Sequence, residues 1–114
     1  MSNAILEGRP AEALEVLSVM KFRRVDPIDV LAEVTRAICD LLAIKVLLEQ
    51  GMPQGEIART LKMNEYKARL YVNGAAGKTR ERLKRALALC AEADRAIKLS
   101  SQGYMAIETL ICGL

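Results

Sequence analysis

A chain of 114 residues with 52% apolar and 27% charged side chains has the balance of a globular domain, not of a disordered segment. At this length a single core buries about two-thirds of the surface that the unfolded chain exposes. The net charge of +3 is too mild to single out a nucleic-acid partner, and the absence of histidine removes the commonest general base and metal ligand together.

Cys39, Cys90 and Cys112 lie far apart with no CxxC spacing. Each sits among apolar helical neighbours, so they read as small buried hydrophobes in a reducing compartment. Pairing two would leave one thiol over, which argues against a secreted disulfide framework. Glu7 and Arg9 follow soon after Met1 with no signal-peptide apolar region, and Asp40 and Lys45 interrupt the longest apolar helix. Cys112 is third from the end and does not fit a prenylation box. These features predict a soluble, cytoplasmic chain with no membrane partner.

In chain order, Met1–Gly8 reads as a short helical piece that Ser2 or Asn3 can cap. Pro10 suits the first turn of a helix, where its missing amide hydrogen is no loss, and Ala13, Leu14, Leu17 and Met20 then share one face. Asp26-Pro27 is an N-cap followed by N1, opening a helix that runs to about Gln50. Asp29, Glu33, Arg36 and Asp40 form a narrow polar stripe along it, and nearly every other position from Ile28 to Leu48 is apolar. Such a helix must be covered on several sides, which makes it the centre of a bundle. Gly51 stands where a left-handed residue ends it.

Pro53 starts a short helix carrying Ile57, Ala58 and Leu61; Asn64 caps the next, with Ala68, Tyr71 and Val72 inward and with Asn73-Gly74 expected to fray or end it. Thr79 caps a long helix from Arg80 to about Leu99 that buries Leu83, Ala86, Leu87, Cys90, Ala93 and Ile97. Ser100–Gly103 reads as a turn, and a last helix from Tyr104 buries Ile107, Leu110 and Ile111. No strand pattern or fixed repeat interrupts this series. The expected fold is all-α, a single helical bundle of about five to six helices spanning residues 1–114.

Two patterns invite a nucleic-acid reading. Glu56, Ile57, Ala58, Leu61, Ala68 and Tyr71 have the spacing with which a helix-turn-helix packs its two helices. Its turn needs a left-handed residue where Lys62 sits, and Glu65 at the front of the second helix would repel phosphate, although Lys67 and Arg69 partly compensate. The spacing therefore reads first as packing and second as DNA readout. Lys78, Arg80, Arg82, Lys84 and Arg85 form a basic run that spreads around its helix with Leu83 and Leu87 inward. It reads first as a solvated helix start. An acidic protein surface or a nucleic-acid backbone could also meet the patch of Lys78, Arg80, Arg82 and Arg85.

Catalytic constellations do not emerge. Gly77-Lys78-Thr79 resembles the tail of a phosphate-binding loop, but the glycine required five residues earlier is Val72, and helix rather than strand precedes it. No catalytic residues, metal ligands, cofactor or small-molecule substrate are assigned. Asp94 and Lys98, four apart on one helix, form an exposed ion pair worth a few tenths of a kcal/mol, on the order of 0.3.

The ordered segments ILEGRPAEALEVL, Val25-Asp26-Pro27, LLAIKVLLEQGMPQGEIARTL, NEYKARLYVNGA and LCAEADRAIKLS together carry a resemblance. Over about residues 4 to 112 the chain resembles the C-terminal domain of the delta subunit of bacterial DNA polymerase III, a clamp-loader component of the AAA+ family. Leu47–Leu61, Asn64–Ala75 and Glu92 to Lys98 are the most specific parts. The resemblance implies a non-catalytic assembly domain that joins sister clamp-loader subunits into a collar. It further implies that the sliding clamp is reached through domains outside this chain, and DNA only indirectly. The chain would then be the C-terminal fragment of a longer subunit of the polymerase III holoenzyme, with Met1–Gly8 the tail of a helix that starts upstream. Asp94 and Lys98 carry over as interface or intra-bundle groups. Thr35-Arg36-Ala37 and the glycines at 74 and 77 depart from the family pattern. The alternative is a helix-turn-helix DNA-binding regulator.

Overall fold

Local chemistry starts most of the helices. In the computed structural model, which describes residues 4, 5, 8–100 and 102–114, Ala4 and Ile5 are helical and buried; the proposed caps Ser2 and Asn3 lie outside the described residues. Helix α1 spans Pro10–Phe22 with proline in its first turn. Helix α2, Pro27–Glu49, is capped by Asp26, whose carboxylate accepts the Ile28 amide at 2.9 Å. Helix α3 covers Gln54–Thr60. Helix α4, Glu65–Ala76, starts where the Asn64 side chain accepts the Lys67 amide at 2.7 Å. Helix α5, Arg80–Leu99, starts where the Thr79 hydroxyl accepts the Arg82 amide at 3.1 Å. Helix α6 covers Gly103–Gly113. Among the described residues the fold is all-α.

The same stop device recurs at several helix ends. After α2, Gly51 takes φ 82°, its amide donates to Leu48 at 3.0 Å, and the Met52 amide donates to Leu47 at 3.1 Å. These are the paired bonds that satisfy a helix's last carbonyls. After α1 the left-handed position is Arg24 at φ 58°, with Arg24 donating to Lys21 and Val25 to Met20. After α3 it is Lys62 at φ 55°, with Met63 donating to Ala58 at 2.9 Å. The left-handed turn expected at Lys62 therefore forms without glycine, and the same geometry at Arg24 had no glycine to announce it.

Two expectations about helix ends are corrected. Asn73-Gly74 does not end α4, which continues to Ala76. Ala68, Tyr71 and Ala75 form one buried stripe, so stopping at Asn73 would expose Ala75, and the Lys78 ammonium donates to the Gly74 carbonyl at 3.2 Å. Gly103 is not the end of a turn but the first residue of α6 and is buried. A Cβ there would lie 2.8 Å from both Cβ and Cγ of Pro27, so glycine permits the start of α6 to press on the start of α2. The Tyr104 hydroxyl donates to the Val25 carbonyl beside it.

Helix α2 is the spine, packed against α4, α5 and α6. Its N-terminal half joins Ala4, Ile5, α1, the C-terminal half of α5 and α6 in one core around Leu17, Val34, Ile38, Cys90 and Ile107. Its C-terminal half joins α3, α4 and Leu83 in a second core around Leu41, Ile44, Ile57 and Tyr71. Lying end to end along α2 and α5, the two cores draw the molecule out to 44 × 25 × 22 Å.

Candidate subunit-docking surface

A shallow, open groove lies between α2 and α5 on the spine. Leu31, Leu87 and Cys90 floor it; Ala32, Thr35, Cys39 and Ala91 form its sides, and its volume is about 640 Å³. Arg36 on α2 and Asp94 on α5 stand at its edges. Ile28, at one end, is 48% exposed. The groove exists because positions 28, 32, 35 and 39 follow each other at helical spacing on a side of α2 that the bundle leaves open. Of α2's polar stripe, Asp29, Glu33 and Arg36 are exposed and Asp40 is half-buried.

Asp94 and Lys98 form the expected pair, with Lys98 Nζ 2.9 Å from Asp94 Oδ2 and both side chains well exposed. The pair is local to α5, and Asp94 stands at the groove edge already partnered.

The basic run divides in a way the sequence reading did not anticipate. Instead of spreading evenly around the helix, Lys78, Arg82 and Arg85 converge on one cleft of about 270 Å³ floored by Ile38, Leu41, Leu83 and Ala86. Arg82 and Arg85, three apart, share one side of α5, and Lys78 reaches the cleft from the turn before the Thr79 cap. Burial chiefly, and the Arg82 guanidinium second, hold the Lys78 ammonium below its ordinary pKa. Arg82 also donates to the Leu114 carbonyl at 3.4 Å. Arg80 belongs elsewhere: its guanidinium sits 2.6 Å from Glu49, tying the start of α5 to the end of α2. Lys84 is exposed.

The cysteine expectation is also corrected. Cys90 is buried and its thiol is pushed up chiefly by burial, but Cys39 and Cys112 are exposed because their sides of α2 and α6 have no covering helix among the described residues. No group of three potential ligands among His, Cys, Asp and Glu that could hold a metal ion occurs among the described residues, and no helix there is long and apolar enough to cross a membrane.

In the α3–α4 pair, joined through the turn at Lys62, Ile57, Ala58, Ala68 and Tyr71 are buried, with Ile57 and Tyr71 in the core shared with α2. On the outer side Tyr66 is exposed and Lys67 Nζ sits 5.5 Å from the Tyr71 ring centroid. Burial first, then Asp40 and Glu33, raise the Tyr71 hydroxyl above its usual pKa.

With this geometry in place, comparison with known proteins decides the family. Residues 1–114 match the DNA polymerase III delta subunit, C-terminal domain. The chain belongs to that family. The Bacillus subtilis DNA clamp loader delta protein (YqeN) has a similar structure, with a TM-score of 0.83 over 97% of this chain at 22% sequence identity. At that identity the likeness is one of fold. The chain spans 33% of the length of that protein. No curated protein sequence matches. Sequence reasoning missed the open groove, since Ile28, Ala32 and Cys39 look like core residues in a helix this apolar. That Arg82 and Arg85 share a side was legible in their spacing on one helix, but the arrival of Lys78 from the turn before α5 was not.

Proposed function

We propose that this chain is the collar domain of a clamp-loader delta subunit, a non-catalytic module that holds sister subunits together while the sliding clamp is loaded onto primed DNA. The observation that carries this reading is the family match over all 114 residues, supported by the similar fold of a clamp-loader delta protein. In this reading the chain is the C-terminal part of a longer cytoplasmic subunit of the polymerase III holoenzyme. It meets the clamp through other domains and DNA only indirectly. The helix-turn-helix spacing then serves packing: Ala68 and Tyr71 face the bundle, and Glu65 stands at the front of α4. Asp94 and Lys98 would act near an interface, and the cleft of Lys78, Arg82 and Arg85 offers a second place for acidic groups.

Sedimentation of the full chain with the other purified clamp-loader subunits of the same organism tests this. The expected result is a heteromeric complex, with the chain alone a monomer or weak oligomer. Base-selective binding of short duplex DNA at moderate salt, or a tight homodimer through the Glu65–Tyr71 face, would instead favour the helix-turn-helix regulator.

A further inference from the structure

We infer that the turn between α1 and α2 binds a single nucleic-acid strand, stacking a base on Phe22 and holding phosphates with Lys21, Arg23 and Arg24. This goes beyond the assembly reading, which takes the domain to DNA only through other subunits. Phe22 is the last residue of α1 and is 88% exposed, although a large aromatic ring is normally driven out of water. Lys21, Arg23 and Arg24 beside it are exposed as well. Among the described residues, none of these three side chains forms an ion pair or a hydrogen bond. The next carboxylate along the chain, Asp26, is committed to capping α2.

The turn is a fixed support. The Arg24 amide donates to the Lys21 carbonyl at 3.1 Å, and the Val25 amide donates to the Met20 carbonyl at 3.0 Å. Met20 and Val25 pack on the first core, and the Tyr104 hydroxyl holds the Val25 carbonyl. Four consecutive residues therefore stand out from an anchored base. Cations near a helix C-terminus complement its dipole, which accounts for charge there but not for the exposed ring. Nor does it account for Arg24, which holds φ 58°, a conformation that glycine adopts without strain. An arginine kept where the backbone favours glycine points to a role for its side chain.

The pairing of ring and cations selects the ligand. A nucleotide presents both complements in one unit, a flat base for the ring and a phosphate for a cation. A duplex keeps its bases stacked on each other and offers the ring no face. An acidic peptide would match the cations and leave the ring exposed, and a lipid surface would accept any apolar side chain in place of the ring.

Fluorescence anisotropy of a labelled oligothymidylate of about 12 nucleotides, titrated with the full chain at about 50 mM salt, tests this. Binding is expected, with log affinity falling against log salt at a slope of about −2, as three neutralised phosphates give on a single strand. Phe22→Ala and Phe22→Leu should each weaken it at least about fivefold, whereas Phe22→Tyr should bind as the native chain does. Arg24→Gly should weaken it about threefold and lower the slope by about 0.7, yet melt no lower than the native chain. The inference is overturned if the strand is not bound, if a duplex of the same length binds as tightly, or if Phe22→Ala and Arg24→Gly bind like the native chain. Phosphatidylglycerol vesicles that take up the native chain and Phe22→Leu alike, in place of the strand, would assign the turn to a lipid surface and overturn it. Polyglutamate bound in preference to the strand would assign it to an acidic protein, with the same consequence. Each of these results leaves the assembly reading standing, because sedimentation with the other subunits reads that separately. Should a Phe22 variant not fold, Arg24→Gly decides.

Discussion

The two sides of α2 are similarly apolar in sequence and differ in what covers them. Val34 and Ile44 have no exposed surface, while Ile28 on the other side is 48% exposed and Ala32, Cys39 and Ala43 lie open with it. On the covered side α4, α5 and α6 close over the helix. On the open side α5 forms only one wall of a groove. Apolar surface is driven to leave water wherever a neighbour is available, and this bundle meets that demand on one side of its spine. The other side stays open among the described residues.

Substitutions should separate the sides sharply. Ile44→Ala on the covered side is expected to destabilise the chain by about 2–5 kcal/mol, whereas Cys39→Ala on the open side should stay within about 0.5 kcal/mol, both read from urea unfolding midpoints. Equal losses would break the distinction. Next in size, Gly103→Ala sets a methyl group 2.8 Å from Pro27 carbons. It should lose about 1–3 kcal/mol by forcing α6 away from the start of α2.

At the far end of the covered side, α3 and α4 meet through left-handed Lys62. Lys62→Gly relieves the side-chain clash of that conformation and should raise stability by about 0.5–1 kcal/mol. A thermal melt checks the sign. A loss instead would mean that Lys62 makes a compensating contact.

The smallest effect is set by pH. Burial raises the hydroxyls of Tyr71 and Tyr104, with Asp40 and Glu33 adding to the first and Asp26 to the second. Because the folded values lie above the ordinary 10.0, their contribution is fully present below pH 10.0 and is lost as pH rises through the folded values. Stability should therefore decline above that pH, and Tyr104→Phe should flatten part of the decline. An unchanged slope in the variant would remove Tyr104 from that account.

Much of this fold was legible in the residues themselves. Asp26, Asn64 and Thr79 announce three helix starts because a short oxygen-bearing side chain must satisfy an orphan amide there. Gly51 likewise announces a stop. Arg24 did not, since a left-handed arginine is held by the backbone bonds around it rather than by a preference of its own. Asn73-Gly74 misled because the burial of Ala75, a tertiary matter, outweighs the weak helix preference of those two residues. The open groove was the least legible part. Periodicity reports which positions are apolar, not whether the chain has enough helices to cover them. That is why Cys39 and Ile28 read as core and emerge at the surface.

Ala32→Glu measures the central contrast most directly when its unfolding temperature is set beside that of Ile44→Ala. The account predicts a melting temperature within about 3 °C of the native chain. A drop in the Ala32→Glu chain as large as that of Ile44→Ala would contradict the claim that this side of α2 lies open.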